Sequence, residues 1–342
     1  VAARVVREAA GADAEPVAIG TGLADPAAAG RGRRVRIGGA DAAAEDLLSV
    51  LTVSWLTPAM DGLFTGPESD RRRFLDRMTL AIAPDHGRHA TLYEKAMRQR
   101  NRLLEEPRPD RAWLDAIEAE LAWHGGVIAA NRATMLAALN DRLAREGAAG
   151  GGFPTGALAL EGDLESLAGG GADRSGIAEA PSPFASGAEP GAAEAAVPSG
   201  GAHPAEAVRF VGLLRRVLRD QRHRDQAAGR TLLGPHRTAL AVTHVDKAMP
   251  ADRASTGEQK ALLVSLVLAH ARLVAETSGE APVLLLDEVA AHLDPARRAQ
   301  LFERLEALNA QCFMTGTDRH LFEALDDRAI VLEVADGRIA PS

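Results

Sequence analysis

Between Val283 and Asp294 the chain reads VLLLDEVAAHLD, four consecutive apolar residues ending abruptly on two carboxylates, Asp287 and Glu288. A run this short, with no polar alternation, fits a strand covered on both faces, as in a parallel sheet. Open α/β sheets bind ligands at the carboxyl ends of such strands. A carboxylate at that edge can hold Mg2+ through water, and the next can orient or deprotonate an attacking water. That makes Asp287 and Glu288 the catalytic candidates, with Asp287 also the metal candidate. An ordinary strand followed by an acidic turn fits the same letters, so the neighbouring motifs decide.

Upstream, STGEQK (255–260) stands directly before a long apolar segment. Ser255 and Glu258 have the spacing of a capping box, which stabilises a helix whatever its function. The same geometry suits a phosphate. A helix N-terminus offers unpaired N–H groups and positive dipole, and Gly257 permits close approach. Ser255, Gly257, Gln259 and Lys260 are therefore nucleotide-contact candidates. Downstream, Asp294 with Pro295 reads as an N-cap with proline at the first helical position; it also falls where a metal site meets a subunit seam. Thr315-Gly316-Thr317-Asp318 reads first as a strand-to-helix turn, and second as a place where Thr317 senses a terminal phosphate.

The rest of the chain sorts by composition. Residues 1–66 hold short apolar stretches parted by Gly and Pro, expected as strands, plus a short helix near Asp41 to Leu48. Residues 67–150 carry apolar positions at three-to-four spacing (Phe74 and Met78; Trp113, Ile117 and Leu121) and form a helical arm broken near Pro84 and Pro107. Residues 151–165 supply one strand returning to the sheet. Residues 166–204 are Gly, Ala, Pro and Ser with few large apolar side chains, expected as a disordered insertion. A helix returns the chain over 205–228. Residues 229–342 alternate helix and strand, with strands at Val283–Leu286, Cys312–Thr315 and Ile330–Val334, which predicts a largely parallel sheet covered by helices.

A net charge of −8 excludes a wholesale nucleic-acid wrapper, so any DNA contact depends on local arginines. Arg71, Arg72, Arg73 and Arg77 form one cluster, and Arg215, Arg216, Arg219, Arg222 and Arg224 another. Both read first as solvated helix faces. The GPHR turn (234–237) offers His236 and Arg237 to phosphate, leaving Arg71, Arg72, Arg73 and Arg237 as DNA-contact candidates. One cysteine, Cys312, excludes an internal disulfide and a cysteine-rich zinc site, in keeping with a reducing cytoplasm. No apolar run is expected to span a membrane. GxxxxGK[ST] does not occur, since none of the three lysines (Lys95, Lys247, Lys260) follows a glycine-rich turn.

Taken together, GPESDRRRFLDRM (66–78), YEKAMRQRNRLL (93–104), AGRTLLGPHRTAL (228–240), STGEQKALLVSLVLAHA (255–271), LLLDEVAAHLD (284–294) and FMTGTD (313–318) resemble the RecF family of bacterial recombination-repair ATPases, related to SMC proteins. The resemblance implies an α/β fold, an ABC/SMC-type P-loop ATPase head with a helical second domain. It implies ATP and Mg2+ as cofactors and an ATP-dependent homodimer. Ser255 and Gly257 would bind the γ-phosphate held by the partner, Asp287 would serve Mg2+, Glu288 hydrolysis, and Asp294 the dimer seam. It further implies single-stranded or gapped or junction duplex DNA, RecR and RecO as partners, and roles in gap repair and SOS induction. Without a lysine loop the sequence as given is expected to be truncated at its start and inactive as an ATPase alone. Thr317 stands where transporter ATPases carry histidine. Two other readings remain: a non-hydrolysing DNA-binding or scaffold subunit that lends its signature helix to a complete partner, and a transporter-type ATPase subunit, disfavoured because its helical subdomain lacks the RRRFLD arm and the GPHR turn.

Overall fold

The computed structural model describes residues 2–5, 15–23, 33–150, 152–169, 204–336 and 338–341. Strands β1 (Ala2–Val5), β2 (Val17–Leu23), β3 (Arg33–Ile37) and β4 (Ala40–Ala42) form an antiparallel sheet in that order. The helix expected from Asp41 begins later, as a 3-10 turn over Glu45–Ser49. Asp41 instead belongs to β4, where Arg34 and Arg36 both donate to its carboxylate.

Strand β5 (Val53–Leu56) leaves that sheet and leads to the helical arm: α1 (Glu68–Ile82), α2 (His86–Leu104) and α3 (Arg111–Ala148). Pro84 and Pro107 each sit just past a helix end, where the missing N–H and the clash with the preceding residue stop the helix. The side chain of Asp110 restarts it, accepting from the amides of Ala112 and Trp113.

Strand β6 (Gly156–Glu161) is followed by α4 (Asp163–Gly169), and the chain resumes at α5 (Pro204–Asp220) and α6 (Arg222–Ala228). The front edge of the expected disordered insertion is thus helical through residue 169, held by Leu164, which is buried. Residues 170–203 of that expectation lie outside the described residues. Helix α5 packs along α3, and the two backbones touch at Gly126, where a Cβ would stand 2.6 Å from the Val211 amide nitrogen.

Then come β7 (Ala239–His244), β8 (Met249–Pro250), α7 (Thr256–Ser278), β9 (Val283–Leu286), α8 (Pro295–Leu308), β10 (Cys312–Met314) and the hairpin β11 (Leu332–Ala335) with β12 (Arg338–Pro341). Two expectations are corrected here. The strand at 156–161 does not join the parallel sheet but pairs antiparallel with β7, in a separate sheet of order β6-β7-β8. The last expected strand starts at Leu332 and is antiparallel to β12, because the turn at Asp336 folds the chain back on itself.

The parallel sheet has order β10-β9-β5. Its buried face carries Leu56, Leu284 and Leu286, which pack against α7. Helix α7 is long and apolar enough to cross a membrane by length and composition, contrary to the sequence expectation, yet two thirds (67%) of its most apolar 18-residue stretch is buried inside this fold. It serves as the helix around which the head core is built.

Candidate functional site

The parallel ladder continues one residue past the strands. The Asp287 amide donates to Leu56 carbonyl oxygen at 2.8 Å, and the Thr315 amide to Leu286 carbonyl oxygen at 3.0 Å. This brings Asp287 and Thr315, distant in sequence, to one edge. The Thr315 hydroxyl donates to Asp287 Oδ1 at 2.5 Å, and the Glu288 amide donates to the Thr315 oxygen at 3.2 Å. One hydroxyl therefore ties both acids together. Asp287 is exposed.

Glu288 adopts a left-handed backbone, φ 52 and ψ 23. For a non-glycine residue this costs about 1–2 kcal/mol and persists only where the surroundings hold it. Here the amide is held by Thr315, and the carbonyl accepts from the Lys260 ammonium at 3.5 Å. Lys260 is buried and pairs with Asp61 at 3.3 Å.

At the start of α7, Ser255 is the N-cap, with its amide and hydroxyl both donating to Glu258 Oε2 at 3.0 and 2.8 Å. Lys247 also pairs with Glu258 and, followed by Ser255, holds that carboxyl down at about 2. The first-turn amides of Thr256 and Gly257 point out of the helix end, both residues are exposed, and a Cβ at Gly257 would meet nothing within 4 Å. Ser255 and Gly257 thus lie on the exposed end of the helix. Two expected nucleotide contacts turn inward instead. The Gln259 amide is buried, donating to the carbonyls of Ala254 and Asp252, and Lys260 is committed to Asp61 and Glu288. Helix period explains this: positions four and five after the N-cap fall on the face of α7 that enters the core.

Asp294 caps α8, accepting from the Arg297 amide at 2.9 Å, and is exposed. Thr317 is exposed in the loop after β10, two residues beyond the threonine that touches Asp287. Sequence reasoning missed Thr315 and Asp61. Thr315 had one visible signal, as the first polar residue after an apolar strand; Asp61 had none, because its role comes from a contact across 199 positions.

The arginine candidates divide. Arg71 donates to the carbonyls of Gly66 and Phe64, Arg72 to that of Thr238, and Arg73 pairs with Asp70. Burial, then the neighbouring Arg132, lowers the Arg72 pKa below the ordinary arginine value. Arg237 is exposed, whereas His236 is turned inward. His236 Nε2 donates to Thr231 carbonyl oxygen at 3.1 Å, so its Nδ1 accepts from the Tyr93 hydroxyl at 2.8 Å. Burial holds this imidazole down at about 4, neutral and unsuited to phosphate. Gly234 makes the turn possible: its φ is 146, and a Cβ there would come within 2.4 Å of the Tyr93 hydroxyl.

A parallel sheet with an acid pair at its carboxyl edge, an open capped helix beside it and a helical arm inserted in the chain define the class: an α/β ATPase head of the ABC/SMC type. Comparison narrows this. The chain is 51% identical over 330 residues to the DNA replication and repair protein RecF of Mesorhizobium japonicum, covering 95% of this chain and 77% of that protein. It is 49% identical over 325 residues to the RecF of Rhizobium meliloti, with the same coverage. The chain belongs to the RecF family of DNA replication and repair proteins. A family model described as AAA domain, putative AbiEii toxin, Type IV TA system matches residues 203–315. The fold is also that of a structure of the recombination mediator protein RecF-ATPrS in the RecFOR pathway (TM-score 0.70, 20% identity, 96% of this chain and 77% of that one). A RecF-ATP structure of the same pathway gives a TM-score of 0.68 at 18% identity, again covering 96% of this chain and 77% of that one.

Proposed function

We propose that this chain supplies half of a composite ATP site in a RecF-type dimer that acts on DNA during recombinational and gap repair and in SOS induction. Ser255 and the first-turn amides of α7 face the terminal phosphate of ATP held on a second subunit's phosphate loop. Asp287 holds Mg2+ through water, Glu288 orients the attacking water, and Asp294 and Thr317 line the seam. When bound, Mg2+ neutralises developing phosphate charge; the protein's own contribution is to fix the two acids through Thr315. Gapped or junction DNA, RecR and RecO are the partners, and the cytoplasm is the compartment.

One observation carries this reading: the phosphate-ready end of α7 and the acid edge of the sheet are joined within one chain by Lys260, which lies on α7 and touches Glu288. The test uses sedimentation of this chain mixed with labelled RecF of Mesorhizobium japonicum. MgATP is expected to drive a mixed dimer, and Ser255→Arg, which fills the phosphate position, to abolish it. Association indifferent to ATP, or to Ser255→Arg, would sink the composite site.

A further inference from the structure

We infer that the outer face of α5 is a docking surface for the phosphate backbone of duplex DNA, an inference resting on the DNA-binding role proposed above. Helix α5 has one possible rotation. Phe210, Val211, Leu214 and Leu218 are buried, and the close approach at Gly126 presses that side onto α3. At 100° per residue the opposite face carries Arg209, Gly212, Arg215, Arg216 and Arg219. All four arginines are exposed.

What distinguishes this ridge is how little of its charge is already used. The α1 arginines are engaged: Arg71 and Arg72 on backbone carbonyls, Arg73 on Asp70. On α5 only Arg209 has such a partner, the carbonyl of Ala168. No ion pair or hydrogen bond to a side chain engages Arg215, Arg216 or Arg219 among the described residues. Asp115 on α3, whose carboxylate feels the charges of Arg219 and Arg215, is hydrogen-bonded to Arg222, which also holds Glu118. Asp220 at the helix end and Glu206, bonded to Thr134, are the acids of α5 itself.

The spacing suits a regular row of anions. Arg215 and Arg219 are one turn apart, about 6 Å along the axis, a separation of the order of that between neighbouring phosphates of one strand. Gly212 leaves a low point between Arg209 and Arg216, since a Cβ there would meet nothing within 4 Å. In a chain of net charge −8 such a local array is what phosphate binding demands.

Fluorescence anisotropy on a short duplex, titrated between 50 and 200 mM salt, tests this. Each lost phosphate contact removes about 0.9 from the slope of log affinity against log salt. Arg215→Gln/Arg219→Gln is expected to lower that slope by about 2 and to weaken binding at 100 mM salt by on the order of tenfold or more. Arg215→Lys/Arg219→Lys should keep the slope, and Arg98→Gln, on α2 and paired with Glu94, should leave both readings unchanged. Duplex bound by the parent chain with a slope that the Gln pair does not move would overturn the ridge alone. No salt-dependent binding by the parent chain would overturn the DNA-binding role beneath it.

Discussion

Glu288 sits at φ 52, and no feature of the letters DEV announces it. The strand before it must stop, and the 3-10 turn Val289–His292 must begin, within a single residue, so one position takes up the left-handed bend. The proposed attacking-water role and the backbone strain thus fall on the same residue. Stability and chemistry are then expected to oppose each other here. Glu288→Gly removes the Cβ that makes the left-handed conformation unfavourable, whereas Glu288→Ala keeps it. Urea unfolding should place the Gly variant about 1 kcal/mol above the Ala variant, the reverse of their order at an ordinary turn or helix position. Equal midpoints would mean that the bend is not a constraint in solution. The two acids stood out as candidates only together with the neighbouring motifs, because an ordinary strand followed by an acidic turn fits the same letters. The bend, the Thr315 bridge and the Asp61 pair were not, because each depends on contacts between segments far apart in sequence.

Elements in this fold are joined by inward-turned histidines as well as by apolar faces. His270 on α7 donates Nε2 to Met78 carbonyl oxygen on α1 at 2.9 Å, and His236 joins the GPHR turn to Tyr93 on α2. Burial depresses both imidazoles to about 4, from an ordinary 6.5. The unfolded chain therefore takes up these protons first. Stability from the neutral histidines is fully present above pH 6.5, falls as pH drops toward 4, and levels off below it. A depression of this size corresponds to on the order of 3 kcal/mol per group. Melting temperatures are expected to hold from pH 8 to 7 and then fall steeply toward pH 4.5. His236→Gln, which can keep the bond to Thr231 without titrating, should flatten part of that fall; an unchanged profile would place the pH dependence elsewhere. Helix boundaries were legible wherever chemistry marks them, at Pro84, Pro107, Ser255 and Asp294. The pairing of β6 with β7 was not legible, since an apolar run of strand length carries no record of which neighbour it will choose.

At the scale of the whole molecule, α3 is the connecting part. Its 38 residues run through both large cores. Leu121, Ala122, Ile128 and Ala129 lie in the arm core with Phe210 and Leu214, while Met135, Leu136, Leu139 and Leu143 lie in the head core with α7. Helix α1, which the sequence grouped with the arm, contributes Phe74, Leu75, Met78 and Ile82 to the head core. The arm has its own polar centre, fully buried Arg100 donating to Glu118, Asp225, Thr231 and the Leu218 carbonyl, and its charges stay paired only while α2, α3, α5 and α6 remain together. A helix with no break between the cores cannot lose one half of its packing without exposing apolar surface on the other, so head and arm are expected to unfold in one step. Trp55 on β5 and Trp113 on α3 report on the two regions separately. In single-tryptophan variants, with the other two residues replaced by Phe, both fluorescence transitions should share one midpoint and one m-value. Arg100→Met is expected to move both midpoints together. An arm that melts first while Trp55 holds its native signal would show that α3 frays between the cores and that the head is stable without the arm.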